Sequence, residues 1–497
     1  MAPLRVLYVA TECAPLLKVG GLADVAAALP PALAQLGVDV RVLLPRVRDM
    51  PRGRVIARFP AGVGLHQIET GTGAPLWLLD TPRLRRRSGI YTGRDGRPYD
   101  DDAECFAGLC RMATAIAADA CGLDWRPDIV HCNEWQTALA PLLSMLARAP
   151  AASVLTIHNL AHQGLFALET GQQLGLPHWA LQPAAAEYWG QLSFLKTGLV
   201  FADRLTTVSP GYAAEILTPQ FGAGLDGVLR ERARALTGIL NGLDNTSWDP
   251  EHDPLVQAHF SARHPSGKRA AKRALVDALG WGAGDDDDAP LAAVVSRLAP
   301  QKGIDLVLEA LPDLLALGMR LVVLGSGDPL LETRWGMAAS HHPDRVAVRL
   351  GFDETLAHRI FAGSDLFLMP SRFEPCGLTQ MCAMRYGAIP VVNPVGGLAD
   401  TVIDAGPAGR SANGFRMASA DAAGLVEACR RAVALHANPD HWQALIRQAM
   451  CSRFDWSDSA RRYLEVYRSA LRAPATPEGA HVAPSRRPCP AVLRGRT

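Results

Sequence analysis

The sequence lacks the features that mark several common classes of protein. Its 497 residues carry 50 basic and 49 acidic side chains, so no excess of positive charge exists to bind nucleic acid or an anionic membrane. The ten cysteines form no CxxC pair and no His/Cys cluster with zinc-ligand spacing, so we expect reduced thiols and no structural metal. No apolar run is long enough to span a bilayer, and Arg5 interrupts the apolar start of the chain. We therefore expect no signal peptide, no membrane partner and a cytoplasmic location.

Short β-branched runs alternate with longer Ala/Leu-rich stretches, and this alternation occurs in two series. Residues of the types AVILMFWYC make up 48% of the chain, which is enough to fill two or three cores. The predicted strands are Val6–Ala10, Val38–Leu43, Asp128–His131, Val154–His158 and Leu205–Val208, then Leu291–Ser296, Leu321–Leu324, Val346–Leu350, Leu366–Met369 and Ile389–Val392. The pattern predicts an α/β protein with two doubly wound parallel sheets. Ligands of such sheets bind beyond the carboxyl ends of the strands, so a cleft shared by two facing sheets is the expected site.

Turn residues and composition predict the domain limits. Trp248-Asp-Pro250 follows a glycine-rich turn, which predicts a first domain over residues 1–248 and a second over 249–455. Residues 456–471 read as an amphipathic helix, with Ala460, Tyr463, Leu464, Tyr467 and Leu471 on its apolar face. The Pro- and Arg-rich segment 472–497 is expected to be disordered. The acidic run Asp285–Asp288 is interpreted as a solvated loop rather than a metal site.

Two cations follow the first predicted strand of the second series. They are Arg297 and Lys302, within Ser-Arg-Leu-Ala-Pro-Gln-Lys-Gly. Breaking a glycosyl–phosphate bond builds negative charge on the leaving diphosphate, and two cations can stabilise that charge without a metal ion. An ordinary solvated pair at a strand end is the alternative. Further along, Gly325-Ser-Gly327 begins a dinucleotide-type turn, but Leu330 occupies the third glycine position, which disfavours an oxidoreductase.

A turn with a carboxylate follows the strand Leu366–Met369. Glu374 lies in Ser-Arg-Phe-Glu-Pro-Cys-Gly-Leu, directly before a stretch to Tyr386 that predicts a helix beginning near Cys376-Gly377. A helix start leaves backbone N–H groups unpaired, so sugar or phosphate oxygens could bind there. By itself the pattern is more typical of a capped helix with a solvated acid.

The first half of the chain contains two comparable stretches. Lys18-Val-Gly-Gly-Leu-Ala-Asp24 places two glycines between a cation and an apolar helix, so the backbone can approach a ligand that the lysine attracts. Thr156-Ile-His158-Asn159 ends a predicted strand. A single histidine at a strand end is often structural, so neither stretch is decisive alone.

Taken together, these stretches resemble bacterial glycogen synthase and its plant relative, starch synthase, from about Val6 to about Tyr467. The resemblance implies two facing Rossmann-like domains of the GT-B type with an inter-domain cleft. It also implies a C-terminal helix that crosses back to the first domain. The implied activity is a retaining transfer of glucose from ADP-glucose to the non-reducing end of an α-1,4-glucan such as glycogen, with no cofactor and no metal.

The same resemblance assigns roles to individual residues. The implied catalytic residues are His158, Arg297, Lys302 and Glu374. The implied donor-binding residues are Lys18, Gly20, Gly21, Asn241, Cys376, Gly377 and Leu378. The implied sugar or acceptor contacts are Asp24, Asn159 and Glu134.

Several positions depart from the family pattern. Glu134 stands before Trp135 where the family usually has Asp, Val47 replaces a customary Tyr, and Cys105 replaces Arg. His162 stands where relatives usually carry Tyr, and Cys382 fills the position of a second glutamate that related retaining transferases carry. The first three changes lie in the predicted acceptor-side domain. Two alternatives therefore stay open: a transferase with another donor or a small acceptor, as in sucrose-type synthesis, and a non-catalytic glucan-binding protein. The sequence predicts no oligomeric state.

Overall fold

The computed structural model describes residues 2–71, 73–94, 96–281, 288–406 and 411–472. The chain divides into two compact units, one formed by Met1–Gly242 with the segment that begins at Trp456, the other by Leu243–Asp455. The residues 285–287 of the predicted acidic loop and residues 473–497 of the predicted disordered tail lie outside the described residues.

The boundary between the units precedes the predicted one. Trp248 stacks on His358 of the second unit with ring centroids 4.1 Å apart. Leu243 donates a backbone hydrogen bond to the Phe454 carbonyl at 2.7 Å, and Asp249 forms an ion pair with Arg385 at 2.6 Å. The prediction of a boundary at residues 248 and 249 is therefore wrong by a few residues, because the turn it used packs with the second unit.

The first unit is built on a large twisted sheet. Within the described residues, the strands of the first unit are β1 (Arg5–Val9), β2 (Asp39–Pro45), β3 (Arg54–Phe59), β4 (Val63–Ile68), β5 (Leu76–Asp80), β6 (Ile129–Asn133), β7 (Ala152–Ile157), β8 (Leu165–Ala167), β9 (Glu187–Tyr188), β10 (Gln191–Ser193), β11 (Arg204–Thr207) and β12 (Leu236–Gly238). The sheet order is β12-β11-β7-β6-β1-β2-β5-β4-β3, and β8-β10-β9 form a separate small sheet. The order reverses at β1, so the carboxyl ends of β1, β6 and β7 form the switch point where ligands of such sheets bind.

Helices cover both faces of the sheet centre, where the adjacent strands β1, β6 and β7 are buried almost throughout. They are α1 (Gly21–Gln35), α2 (Asp102–Ala117), α3 (Ala140–Leu146), α4 (Leu168–Gln173), α5 (Phe194–Phe201), α6 (Pro210–Glu215) and α7 (Asp226–Glu231). The antiparallel β3 and β4 at one edge were not among the predicted strands.

The second unit contains a smaller parallel sheet. Its strands are β13 (Leu291–Val295), β14 (Arg320–Gly325), β15 (Val346–Leu350), β16 (Leu366–Met369), β17 (Ile389–Val392) and β18 (Phe415–Arg416), in the order β15-β14-β13-β16-β17-β18. Its helices are α8 (Gly267–Ala278), α9 (Ile304–Ala316), α10 (Pro329–His341), α11 (Glu354–Gly363), α12 (Thr379–Arg385), α13 (Gly396–Thr401), α14 (Ala422–His436) and α15 (Pro439–Met450). The order reverses between β13 and β16, which places their carboxyl ends at this unit's switch point.

The last described helix, α16 (Trp456–Arg472), packs in the first unit against α1, β7 and β11. Its buried face includes Tyr463, Val466, Tyr467 and Ala470. Leu471, which the sequence placed on that face, is 47% exposed, because Ala470 continues the spacing of three and four residues from Tyr463. In the described ranges, no helix combines the length and the apolar content that a membrane span needs.

Candidate active site

A buried carboxylate holds the glycine loop of the first unit. Glu12 follows β1, and its Oε2 accepts hydrogen bonds from the backbone N–H groups of Val19 and Gly20 at 2.7 and 2.8 Å. Its Oε1 accepts from the Tyr91 hydroxyl at 2.7 Å, and that hydroxyl is also 2.7 Å from Thr11 Oγ1. The side chain of Glu12 is buried, so its hydrogen bonds hold the loop that leads into α1 before any ligand binds.

The loop that Glu12 holds is the predicted donor loop, which contains Lys18, Gly20 and Gly21. Lys18 forms an ion pair with Asp24 at 2.9 Å, and both side chains are about 40% exposed. Gly20 precedes α1 and Gly21 is its first residue. Because the pair is exposed, its attraction is weakened by water, and the ammonium group can exchange Asp24 for a ligand phosphate.

Glu134 has the same positioning role at the end of β6. Its Oε1 accepts from the backbone N–H groups of His158 and Asn159 at 2.5 and 2.8 Å. Its own backbone has a φ of +65°, a left-handed conformation that a side chain rarely adopts. Burial raises the pKa of the Glu134 carboxyl to about 7, and the nearby Glu12 adds to the rise, while the backbone N–H groups of Asn159, His158 and Trp135 oppose it. The Glu134 carboxylate thus holds the start of the loop that follows β7.

His158 is held in one tautomer. Asn133 donates through Nδ2 to the Val9 carbonyl at 3.0 Å, so its Oδ1 faces Tyr8 and His158. His158 donates through Nε2–H to that oxygen at 3.0 Å, which leaves the lone pair on Nδ1. Burial lowers the pKa of His158 to about 3. At neutral pH the ring is therefore uncharged and can accept a hydrogen bond from a sugar hydroxyl.

A second buried histidine, His131, contacts the C-terminal helix α16. His131 Nδ1 is 2.8 Å from the Tyr467 hydroxyl, and its Nε2 is 2.6 Å from Thr156 Oγ1. Thr156 in turn is hydrogen-bonded to Thr206. Burial lowers the pKa of His131 to about 3, so this network is uncharged. The strands that carry Asn133 and His158 are thereby tied to α16.

In the second unit, the structure brings Lys302 and Glu374 together. Lys302 lies after β13 and Glu374 after β16, and Lys302 Nζ is 2.6 Å from Glu374 Oε2. The Ser371 hydroxyl donates to the same oxygen at 3.0 Å, and Asn393 donates to the Ser371 carbonyl at 2.8 Å. The pair is mostly buried. A cation and a carboxylate are thus held at the switch point of this sheet.

Arg297 is less restrained than its predicted partner. Its side chain is exposed, and its guanidinium is 3.4 Å from Gln301 Oε1, a long hydrogen bond. Gln301 also donates to the Phe373 carbonyl at 3.3 Å, so it links the loop of Arg297 to the loop of Glu374. Lys302 is thus held by an ion pair, whereas Arg297 is exposed and only loosely restrained.

The loop Cys376-Gly377-Leu378 precedes α12 and is closed by side-chain and backbone bonds. Gln380 Nε2 donates to the carbonyl oxygens of Cys376 and Gly377 at 3.1 and 2.8 Å. Gly397 donates to the Glu374 carbonyl at 3.0 Å and approaches so closely that a Cβ there would lie 2.0 Å from the Cys376 carbonyl oxygen. The Gly396-Gly397 pair at the start of α13 therefore packs against the loop Cys376-Gly377-Leu378, and no larger residue fits at Gly397.

The turn at Gly325-Ser-Gly327 is not arranged as a phosphate cradle. Asp328 accepts from the backbone N–H groups of Leu330 and Leu331, and Glu332 accepts from that of Gly327 at 2.7 Å. The donors that would face a dinucleotide are bonded to carboxylates instead. The hydrogen bonds within this turn therefore disfavour dinucleotide binding here, as does Leu330 at the third glycine position.

The remaining predicted residues occupy different environments. Asn241 is buried at the end of the first unit, and within the described part of the chain its Oδ1 accepts no hydrogen bond. An unsatisfied buried amide oxygen can accept from a ligand. Val47 and Cys105 are buried and His162 is exposed. Within the described residues, no group of three or more His, Cys, Asp or Glu side chains is placed to hold a metal ion.

Several positioning residues were missed from the sequence. Glu12, Asn133 and Ser371 each bond a predicted site residue or its loop. Tyr91 and Asn393 act one step further away, since they bond Glu12 and Ser371. Glu12 and Asn133 each lie just past or at the end of a parallel strand, which is the one sequence signal that could have identified them.

Known structures define the class of this protein. The catalytic domain of starch synthase IV from Arabidopsis thaliana, bound to ADP and acarbose, aligns with a TM-score of 0.83 and 32% identity, covering 94% of this chain and 99% of that one. Sucrose-phosphate synthase from Thermosynechococcus elongatus shares the fold at a TM-score of 0.59 and 18% identity, covering 94% and 98%. With two doubly wound units and charged groups at both switch points, the protein is a glycosyltransferase of the GT-B class.

Sequence comparisons then identify the family. The family model described as starch synthase catalytic domain matches residues 5–231, and that described as glycosyl transferases group 1 matches 281–449. Glycogen synthase 1 of Methylococcus capsulatus is 47% identical over 94% of this chain and 97% of its own length. Glycogen synthase of Aromatoleum aromaticum is 48% identical over 95% and 98%. The chain belongs to the glycogen and starch synthase family.

Proposed function

We propose that this protein transfers a glucosyl unit from ADP-glucose to the non-reducing end of an α-1,4-glucan, with retention at the anomeric carbon. The observation that carries the proposal is the similarity, over 94% of the chain, to proteins named glycogen synthase. The plant relative that contains ADP and acarbose supports an adenine nucleotide and an α-glucan-like ligand.

The bond between the anomeric carbon and the diphosphate oxygen breaks, and a bond forms from that carbon to the acceptor 4-hydroxyl oxygen. The hydroxyl proton passes to the departing phosphate oxygen on the same face of the sugar. Lys302 and Arg297 stabilise the charge that builds on the diphosphate. Because Lys302 is already held by Glu374 at 2.6 Å, little reorganisation is needed when the charge develops.

His158 and Glu374 act on the sugar. Neutral His158, with its lone pair on Nδ1, accepts from a glucose hydroxyl and orients the ring. The Glu374 carboxylate stabilises positive character on the sugar ring as the bond breaks. Both groups are held by side chains that do not themselves react, namely Asn133 and Ser371.

The other predicted residues bind the two substrates. Lys18 and the backbone at Gly20 and Gly21 contact the donor, as do Asn241 and the loop Cys376-Gly377-Leu378. Asp24, Asn159 and Glu134 contact the sugar or the acceptor. Glu134 acts chiefly through the backbone of His158 and Asn159, because its Oε1 is hydrogen-bonded to both N–H groups.

The reaction in this proposal needs no metal ion. Two cationic side chains take the role that magnesium has in many nucleotide-dependent transferases. Activity after exhaustive treatment with a chelator should match untreated enzyme. Complete loss that a divalent ion restores would disprove this part of the proposal.

The decisive assay is nucleotide release with matched donors and acceptors. We expect release from ADP-glucose that depends on glycogen, with UDP-glucose a much weaker donor and fructose a much weaker acceptor. Preference for UDP-glucose or for the small acceptor would support a sucrose-type transferase. Glycogen binding without nucleotide release from either donor would support a non-catalytic glucan-binding protein.

A further inference from the structure

Trp189 is the most exposed large apolar side chain of the described residues, at 84%. It lies at the tip of the hairpin β9–β10 in the first unit, where Tyr188 pairs with Gln191 across a two-residue turn. Contact of the apolar indole with water is unfavourable, so an exposed Trp189 contributes no burial energy to the stability of the fold.

The backbone of this turn makes the choice of residue more unusual. Trp189 and Gly190 have φ values of +50° and +80°, the combination that a type I′ turn requires. Asn-Gly is the preferred pair for such turns, whereas a large side chain with positive φ is strained. Trp189 is thus unfavourable for both the turn and its solvation, and a residue of that kind indicates a binding function.

The hairpin that carries Trp189 is itself held in place. Glu187 Oε1 accepts from the Gly190 N–H at 2.5 Å, the Tyr188 hydroxyl donates to the Ala223 carbonyl at 2.8 Å, and Leu192 is buried. A short turn that is already restrained by hydrogen bonds loses little backbone conformational freedom when a ligand binds.

The same hairpin is joined to the loop that carries His158 and Asn159. Gln163 of that loop donates through Nε2 to the Ala223 carbonyl at 2.9 Å, the oxygen that also accepts from Tyr188. The loop continues into β8, which pairs with β10. Ser193 ends β10 next to this loop. Trp189 is four residues from Ser193, which corresponds to about 13 Å of extended chain.

We propose that Trp189 is a second contact for the α-glucan acceptor, on which a glucose unit distant from the reacting end stacks. The flat apolar face of indole suits the C–H face of a sugar ring, and the polar Glu187 and Gln191 beside it can bond to the hydroxyl groups. The proposal rests on the proposed function, because the acceptor it binds is the glucan of that reaction.

The test compares three substitutions at this position. Trp189→Ala removes the platform, Trp189→Asn removes it while creating the preferred Asn-Gly turn, and Trp189→Phe keeps an aromatic face. Transfer from ADP-glucose is measured with glycogen and with maltotriose, alongside melting temperature and molar mass by light scattering. Met337→Ala, at another exposed apolar side chain, is the control.

We expect the KM for glycogen to rise about ten-fold in the Ala and Asn variants, the scale of one lost aromatic anchor. The kcat, the KM for ADP-glucose and the KM for maltotriose should be unchanged, because a trisaccharide in the reaction site has no further units for Trp189. The Phe variant should stay within about three-fold of wild type, since it retains a stacking face. The Asn variant should melt no lower than wild type, so its loss of affinity cannot come from unfolding.

Three results would overturn the platform: an unchanged KM for glycogen in Trp189→Asn, an equal rise in the KM for maltotriose, or a fall in molar mass that identifies a second copy as the partner of Trp189. Wild-type protein without transfer would instead refute the proposed function. Cosedimentation of wild type and Trp189→Asn with glycogen then decides the platform by itself, since equal binding contradicts it and weaker binding of the variant supports it.

Discussion

Buried carboxylates position the reactive groups in each unit. Glu12 holds the Lys18 loop, Glu134 holds the backbone of His158 and Asn159, and Glu374 holds Lys302. In each case a short hydrogen bond restrains the backbone or side chain that would contact substrate. Such preorganisation lowers the reorganisation needed when charge develops in the transition state.

Replacing Lys302 with Ala should lower turnover by about a hundredfold or more, because a preorganised charge beside the leaving group is lost. The free energy of unfolding should also fall, by about 1–3 kcal/mol, since Glu374 loses its cation and, among the described residues, keeps the Ser371 hydroxyl as side-chain partner. Initial rates on protein shown to be folded by circular dichroism separate the two effects. Arg269→Ala, which breaks an exposed pair with Asp288, is the control and should leave both unchanged. Turnover near the wild-type value in folded Lys302→Ala would remove Lys302 from the mechanism.

The raised pKa of Glu134 makes stability depend on pH. The folded-state pKa is about 7 against an ordinary value of 4.5, so this group's stabilising contribution is complete below pH 4.5 and is lost as pH rises through 7. Glu134→Gln does not titrate. Wild type should therefore lose stability relative to this variant between pH 4.5 and 7, by at most about 3 kcal/mol.

Urea unfolding at several pH values measures this difference. Exposed Glu169→Gln is the matched control, and its curve should run parallel to that of wild type. If the curves of wild type and Glu134→Gln are also parallel, the carboxyl of Glu134 titrates normally and its burial has no energetic consequence.

At the scale of single elements, α16 is part of the first unit's core. Its hydroxyl contact from Tyr467 to His131 is fully buried, and Arg204 donates to Ser469 on the same helix at 3.0 Å. The helix therefore supports the strands β6 and β7 from which Asn133 and His158 extend. A change on α16 can alter the site without touching a substrate.

The contribution of the buried Tyr467 hydroxyl to stability can be measured by removing that oxygen. Tyr467→Phe leaves His131 Nδ1 without its partner, so the free energy of unfolding should fall by about 1–3 kcal/mol. Leu471→Ala, on the exposed side of the helix, should change it by less than about 0.5 kcal/mol. Chemical denaturation gives both values, and equal effects would mean that the buried hydrogen bond contributes nothing.

At the scale of the whole molecule, the chain forms the first unit from two separate segments and the second from one. In the first unit Gly242 lies against Trp456, where a Cβ would come within 2.7 Å of the indole. In the second, Leu243 pairs with Asp455. The two segments of the first unit thus end close together.

This topology predicts how fragments behave. Residues 243–455 should fold cooperatively alone, because their sheet and core are complete. Residues 1–242 alone should melt early or aggregate, since the surface that α16 covers would be exposed, and joining residues 456–472 through a short linker should restore them. A chain that ends at Ala473 is the control and should melt like the full chain. Cooperative folding of 1–242 at the wild-type temperature would show that α16 is dispensable.

The sequence by itself determined the parts that depend on local pattern. All ten predicted strands are present within one to two residues of their predicted ends, because buried parallel strands are short, continuous apolar runs. Lys302 and Glu374 were predicted to act at one site, and the structure brings them together, because the ends of neighbouring parallel strands meet at one edge of a sheet.

Tertiary structure alone decided which groups hold these residues. His131 and Tyr467 are 336 positions apart, and Glu12 and Tyr91 are 79 apart. Hydrogen bonds between such distant residues leave no periodic signal, because each partner looks locally like any buried polar residue. The exposure of Trp189 was likewise decided by the hairpin, since the apolar character of a tryptophan alone would place it in the core.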